Sequence, residues 1–193
     1  MNRFDEVFKA VPRINFLRPE TKAQHDVDTP LPIGYGQTNS QPSTVRLMLQ
    51  WLDPQPTEKV LEVGSGSGWT VALLAHLVGP TGTVYAVERI PELLKYGKDN
   101  CKNVNIHNAL FFEAGPAFGL PDYEPYDRIL VSAAATRLPK ILFDQLALGG
   151  KLVIPTNTTI HVIEKIDTQS YKQKQYPGFL FVPLIRGKSP TGH

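Results

Sequence analysis

Apolar positions along the chain follow two alternating spacings. From residue 59 onward, short β-branched runs at 59–63, 83–88, 127–132 and 150–154, with the aromatic run 110–112, read as strands. Between them, residues 69–78, the stretch from Pro91 toward Cys101, and residues 139–146 carry helical spacing, with Pro91 suited to a first helical turn. Strands that alternate with helices predict a parallel sheet with crossover helices. Two later apolar runs, 159–167 and 179–184, read as strands joined by a polar turn, most simply an antiparallel hairpin on the sheet edge. The expected fold is therefore α/β, Rossmann-like, with a mostly parallel seven-stranded sheet ending in an antiparallel edge hairpin.

The first 57 residues differ in kind. Prolines stand at positions 12, 19, 30, 32, 42, 54 and 56, which excludes one long helix. Residues 3–11 predict a short amphipathic helix carrying Phe4, Val7, Phe8 and Val11 on one side. Ser43 is a cap candidate for a second helix over 44–52, ended by Asp53-Pro54. The chain divides into an N-terminal extension (1–57) packed on a core (58–188), with 189–193 as a loose end.

Composition narrows the possibilities. The 193 residues are 41% hydrophobic and 20% charged, enough apolar content for one sizeable core. Twenty Lys and Arg against 18 Asp and Glu leave +2, which exerts no general pull on nucleic acid or anionic lipid. The positives at Lys172, Lys174, Arg186 and Lys188 alternate with neutral residues and read as strand-turn solubility rather than an RNA patch. Cys101 is the single cysteine, so an internal disulfide and a multi-cysteine zinc site are excluded. The five histidines form no HxH or HExxH pattern, and no metal is expected. No run reaches the ~20 apolar residues of a membrane span, and residues 1–11 lack a signal-peptide core. The expectation is a cytoplasmic monomer with no nucleic-acid or membrane partner.

The chemistry concentrates after the first core strand. Val63-Gly64-Ser65-Gly66-Ser67-Gly68-Trp69 places three glycines where a buried strand turns into a helix, so a ligand can approach the backbone closely. A dinucleotide fingerprint would need glycine where Trp69 stands, and Gly187-Lys188-Ser189 lacks the leading glycine of a P-loop at Val182. Glu88 ends the second core strand 24 positions after Gly64, about where an acid grips ribose hydroxyls in nucleoside-binding α/β folds. Loop and acid together predict a nucleoside cofactor.

A longer set of residues carries a resemblance: Leu31-Pro-Ile-Gly-Tyr-Gly-Gln-Thr-Asn-Ser-Gln-Pro42, Val60 to Gly68, Pro125-Tyr-Asp127, Val131-Ser-Ala-Ala-Ala135, Gln145 to Pro155 and Phe181-Val-Pro-Leu184. From about Leu31 to Leu184 the chain resembles the protein-L-isoaspartate (D-aspartate) O-methyltransferases. The resemblance implies a class I methyltransferase fold, S-adenosylmethionine as cofactor, and a damaged protein or peptide as partner, methylated on the carboxylate of an L-isoaspartyl or D-aspartyl residue. It implies further that Gly64, Ser65, Gly66, Gly68, Glu62, Glu88, Thr38 and Gly115 bind the cofactor, and that Ser40 in the substrate loop is the catalytic residue. Residue by residue, Ser40 alone would read as a turn or capping hydroxyl.

Three departures from the family stand out. Ala114-Gly115-Pro116 replaces the usual Gly-Asp-Gly, so the aspartate for the adenine amino group is missing and Glu113 is the candidate replacement. Asn39 stands where an apolar residue is usual, and the leading helix is short. Two other readings stay open: the same fold with a different acceptor, and a catalytically silent binding module. Ser132-Ala-Ala-Ala135 is not the Asn/Asp-Pro-Pro-Tyr motif of amino-nitrogen methylation, and Cys101, expected at a helix end remote from the site, reads as a packed or surface thiol rather than a nucleophile.

Overall fold

A computed structural model describes residues 2–188; the expected loose end, 189–193, lies outside the described residues. The core begins with β3 (Lys59–Val63), α3 (Trp69–Val78), β4 (Thr83–Glu88), α4 (Pro91–Asn103) and β5 (Ala109–Glu113). It continues through β6 (Tyr126–Val131), α5 (Lys140–Asp144), β7 (Leu146–Thr156), β8 (Thr159–Lys165) and β9 (Tyr171–Pro177). These seven strands form one sheet in the order β5-β4-β3-β6-β7-β8-β9. Pairing is parallel from β5 to β7 and antiparallel from β7 to β9. The first strand of this sheet in sequence, β3, lies between β4 and β6, so the crossovers leave it in opposite directions. A crevice opens there outside the carboxyl ends of the strands.

Ahead of the core come α1 (Arg3–Ala10), a small antiparallel hairpin of β1 (Leu31–Gly34) and β2 (Gln37–Asn39), and α2 (Pro42–Leu52). The helix α1 is fixed by a capping box in which the Asn2 side chain accepts the Asp5 N–H and the Asp5 carboxylate accepts the Asn2 N–H. Its buried Val7, with Val11 and Phe16, joins the cluster built by α3 and by Val60, Val84, Leu130 and Val153 of the sheet. Covered by the sheet below and α1 above, α3 buries residues on every face, which accounts for its lack of an amphipathic stripe. A second cluster, with Leu61, Tyr126, Ile129, Leu142 and Leu152, fills the opposite face of the sheet.

Two expectations are corrected. The outer strand of the edge hairpin is Tyr171–Pro177, not 179–184. Tyr171-Lys-Gln-Lys-Gln-Tyr looks like a turn because its residues are polar, but polar and lysine side chains suit an edge strand, whose open side must resist pairing with another chain. Residues 179–184 instead cross the carboxyl end of β6, where Ala134 bridges to Pro183. Ser43 is not a cap: α2 starts at Pro42, and the Ser43 N–H donates to Asp28 Oδ1 at 2.8 Å. The helix expected over 139–146 spans only Lys140–Asp144, because β7 already begins at Leu146.

Candidate active site

The glycine loop between β3 and α3 is built by its backbone. Gly64, Gly66 and Gly68 have φ of 91°, 49° and 83°, values that disfavour any side chain. Close approach adds to this: a Cβ on Gly68 would lie 2.6 Å from the Gly97 carbonyl of α4, and one on Gly97 would lie 2.8 Å from the Gly66 carbonyl. The loop therefore rests directly on α4, where Asn100 donates to the Ser67 carbonyl at 2.9 Å and the Cys101 thiol to the Gly68 carbonyl at 3.3 Å. Cys101 is thus not remote from the loop but packed beneath it. Burial above all pushes its thiol up to about 12, which suits packing rather than nucleophilic attack.

Glu88 is held by the same loop. Its Oε2 accepts the Gly66 N–H at 3.0 Å, and its Oε1 accepts the N–H groups of Arg89 and Ile90 at 2.9 and 3.0 Å. A carboxylate offers about four acceptor sites, so the side chain is oriented in advance with capacity left for a hydroxyl. Glu62, 1% exposed, accepts the Ser132 hydroxyl on Oε1 at 3.0 Å. Its Oε2 and the Ser65 hydroxyl oxygen are buried without a hydrogen-bond partner. Burial, reinforced by Glu88 and opposed by Ser132, raises the Glu62 carboxyl to about 8.

The opposite wall is the hairpin β1–β2 and the residues after it. Arg13, which no motif or spacing singles out, organises this wall. It is buried, donates from Nε to Asn39 Oδ1 at 2.7 Å, and donates from its terminal nitrogens to the carbonyls of Val27, Thr29, Asn39 and Ser40. Burial lowers its pKa to about 10, with Asp28 opposing. Asn39, the polar departure from the family, is also buried, and its amide donates to the Ser67 hydroxyl at 2.9 Å. An Arg13–Asn39–Ser67 chain thereby ties this wall to the glycine loop. Trp69 packs edge-on to Phe8 and donates its indole N–H to the Val11 carbonyl, which fixes α1 in the same assembly.

Thr38, Ser40, Glu62, Gly64, Ser65, Gly66 and Glu88 all line one crevice, together with Ser132, Arg89 and the crossing segment Val182 to Ile185. Gly68 and Gly115 do not line it. Gly68 faces α4, and the Gly115 carbonyl accepts the Gly187 N–H at 3.0 Å as the crossing segment passes over it. Glu113 is exposed and does not line the crevice either, whereas Ala114 does. The cavity measures about 70 Å³ within a hollow of about 730 Å³ open to solvent. Val182 to Leu184 is tied to β6 through the Ala134 N–H to the Val182 carbonyl and the Leu184 N–H to the Ala134 carbonyl, both 2.8 Å. Ser40, Thr38, Ser132 and Val182 also border an adjoining groove of about 630 Å³ with Leu47, Phe179, Leu180 and Phe181. Among the described residues, no cluster of His, Cys, Asp and Glu could hold a metal ion, and no helix is long and apolar enough to cross a membrane.

Comparison with known proteins decides the family. The model of the protein-L-isoaspartate(D-aspartate) O-methyltransferase family matches residues 1–189. The chain belongs to this family. It is 48% identical over 185 residues to the protein-L-isoaspartate O-methyltransferase of Aeropyrum pernix, covering 93% of this chain and 71% of that protein. With the Methanopyrus kandleri relative of the same name it shares 42% identity, over 95% of this chain and 84% of the relative. Among solved structures it is similar to a Plasmodium falciparum protein described as a protein-L-isoaspartate O-methyltransferase in complex with S-adenosyl-L-homocysteine. That pair has a TM-score of 0.85 and 25% identity over 96% of this chain and 91% of that one. Another solved protein-L-isoaspartate O-methyltransferase gives the same TM-score and identity, and there this chain spans 61% of the longer protein.

Proposed function

We propose that this chain transfers the methyl group of S-adenosylmethionine to the free carboxylate of an L-isoaspartyl or D-aspartyl residue in a damaged peptide. The observation that carries the reading is that the glycine loop, Glu88, and the Thr38–Ser40 wall of the substrate loop face one crevice in a chain of this family. The residues present suit the cofactor: Glu88 offers acceptor capacity to ribose hydroxyls, the loop backbone allows close approach, and the unpartnered Glu62 and Ser65 oxygens suit the N–H groups of an amino acid. Glu62, Gly64, Ser65, Gly66, Glu88 and Thr38 are assigned to its binding. Gly68 and Gly115 act from behind by shaping the loop and the adenine end.

When bound, the cofactor supplies a methyl group on a positively charged sulfur that departs as a neutral thioether. An acceptor carboxylate with a solution pKa near ~4 is already ionised at neutral pH, so the chain needs no general base. Its work is to orient the acceptor oxygen and exclude water. Ser40 is the residue assigned to orientation, because a hydroxyl can hold a carboxylate without setting a full positive charge against it. Arg13 reaches only the carbonyl of Ser40, at 3.0 Å, so its charge braces the loop from behind. Residues 1–57 serve as the acceptor-binding extension, and the protein works as a cytoplasmic monomer without nucleic acid. Incubation with labelled S-adenosylmethionine and an isoaspartyl peptide is expected to yield a base-labile methyl ester. Absence of ester at saturating cofactor, with the protein folded, contradicts the reading.

A further inference from the structure

One acid assigned to the cofactor takes no part in the methyl-transfer step itself. Glu62 is sealed at the end of β3, with one oxygen bonded to the Ser132 hydroxyl and the other, Oε2, facing no partner. The Ser65 hydroxyl oxygen nearby in the loop is likewise unpartnered. The groups that face this position from the packed elements are the Glu88 carboxylate of β4, the Cys101 thiol of α4 and the Ser132 hydroxyl of β6. Arg13 is spent on Asn39 and carbonyl groups, and no ion pair to Glu62 is found among the described residues. An isolated carboxylate in such a place, beside a second acid, is costly to keep charged; a neutral acid is not.

Given the cofactor reading above, on which this inference rests, we propose that Glu62 holds a proton in the ligand-free protein and releases it to solvent when the ammonium end of the ligand arrives, so that cofactor binding is coupled to the release of one proton. The balance is simple: the carboxyl O–H bond breaks, the proton passes to buffer, and the resulting carboxylate meets the incoming ammonium. Burial that raises this carboxyl to about 8 places the exchange across neutral pH. A pure positioning role for Glu62 would leave binding indifferent to pH in this range.

The probe is S-adenosylhomocysteine, which carries the ammonium without the sulfonium, titrated calorimetrically in phosphate and in imidazole, buffers of small and large ionisation heat. Near pH 6.5 the ligand's own amine, with a pKa of about 8, stays charged. The expected result is a difference between the two heats that corresponds to about one proton released per ligand, and an affinity that rises about tenfold between about pH 6 and about pH 7. In Glu62→Gln the two heats agree and the affinity is flat with pH. In Ser132→Ala, which removes the hydrogen bond that favours the charged form, coupling persists to higher pH; this variant keeps the test open if Glu62→Gln fails to fold. Binding to the wild type with equal heats in both buffers and a flat affinity overturns the inference and leaves the cofactor reading intact. Failure of the folded protein to bind the probe at all, by calorimetry and by equilibrium dialysis, overturns both.

Discussion

The two walls of the crevice are constructed by different means. The cofactor wall is made of neighbours in sequence: a strand, a five-residue glycine loop, a helix, and an acid whose oxygens are held by backbone N–H groups. The acceptor wall is made of strangers. Arg13 reaches Asn39 and Ser40 across 26 and 27 residues, and Asn39 reaches Ser67 across another 28. A wall of backbone geometry fails when one atom is added to a glycine, whereas a wall of side-chain hydrogen bonds fails when one long polar residue is lost.

The sharpest break is on the cofactor side. In Gly68→Ala the new methyl group meets the Gly97 carbonyl at 2.6 Å with φ at 83°, so the loop must shift. At about 3 kcal/mol of strain, affinity for S-adenosylhomocysteine measured by calorimetry is expected to fall roughly 100-fold. On the other wall, Arg13→Met leaves several buried carbonyls without a donor, a loss of about 2 kcal/mol or more in the ordering of the substrate loop. The Michaelis constant for an isoaspartyl peptide is expected to rise at least about tenfold while cofactor affinity changes little, which steady-state kinetics and calorimetry separate. Equal losses on both sides would show that the walls are one unit. Ser40→Ala tests the acceptor wall at its tip. Turnover is expected to drop about tenfold, the scale of one lost orienting hydrogen bond, with cofactor affinity retained.

A separate effect falls on stability. Because the folded protein holds the Glu62 proton more tightly than the unfolded chain does, the associated stability is fully present below the ordinary carboxyl value of 4.5 and is lost as pH rises through about 8. Urea unfolding at about pH 5 and about pH 9 is expected to show a larger fall in the wild type than in Glu62→Gln.

The same contrast explains what could be read in advance. The cofactor wall was legible in the sequence because strand, glycines, helix and Glu88 recur at short fixed spacing, and each residue type has one backbone reason to be there. Four of the seven sheet strands sat on β-branched runs for the same reason, and β5 and β8 on apolar ones. The outer strand β9 was not legible, since Tyr171-Lys-Gln-Lys-Gln-Tyr is paired on one side only and carries no apolar face strong enough to mark it. Arg13 was invisible because an arginine in a proline-broken segment looks like a surface charge until tertiary contact buries it. Asn39 stood out only as a polar residue where an apolar one is usual; it is a satisfied buried amide, and its partner Arg13 could not be inferred from spacing.

The central claim is that the two walls together present an isoaspartyl carboxylate to a methyl group. It is tested most directly by supplying recombinant protein with labelled S-adenosylmethionine and a pair of peptides that differ only in an isoaspartyl or a normal aspartyl linkage. Base-labile label on the isoaspartyl peptide alone is the expected result. Cofactor binding without label on that peptide, or equal labelling of both, would contradict it.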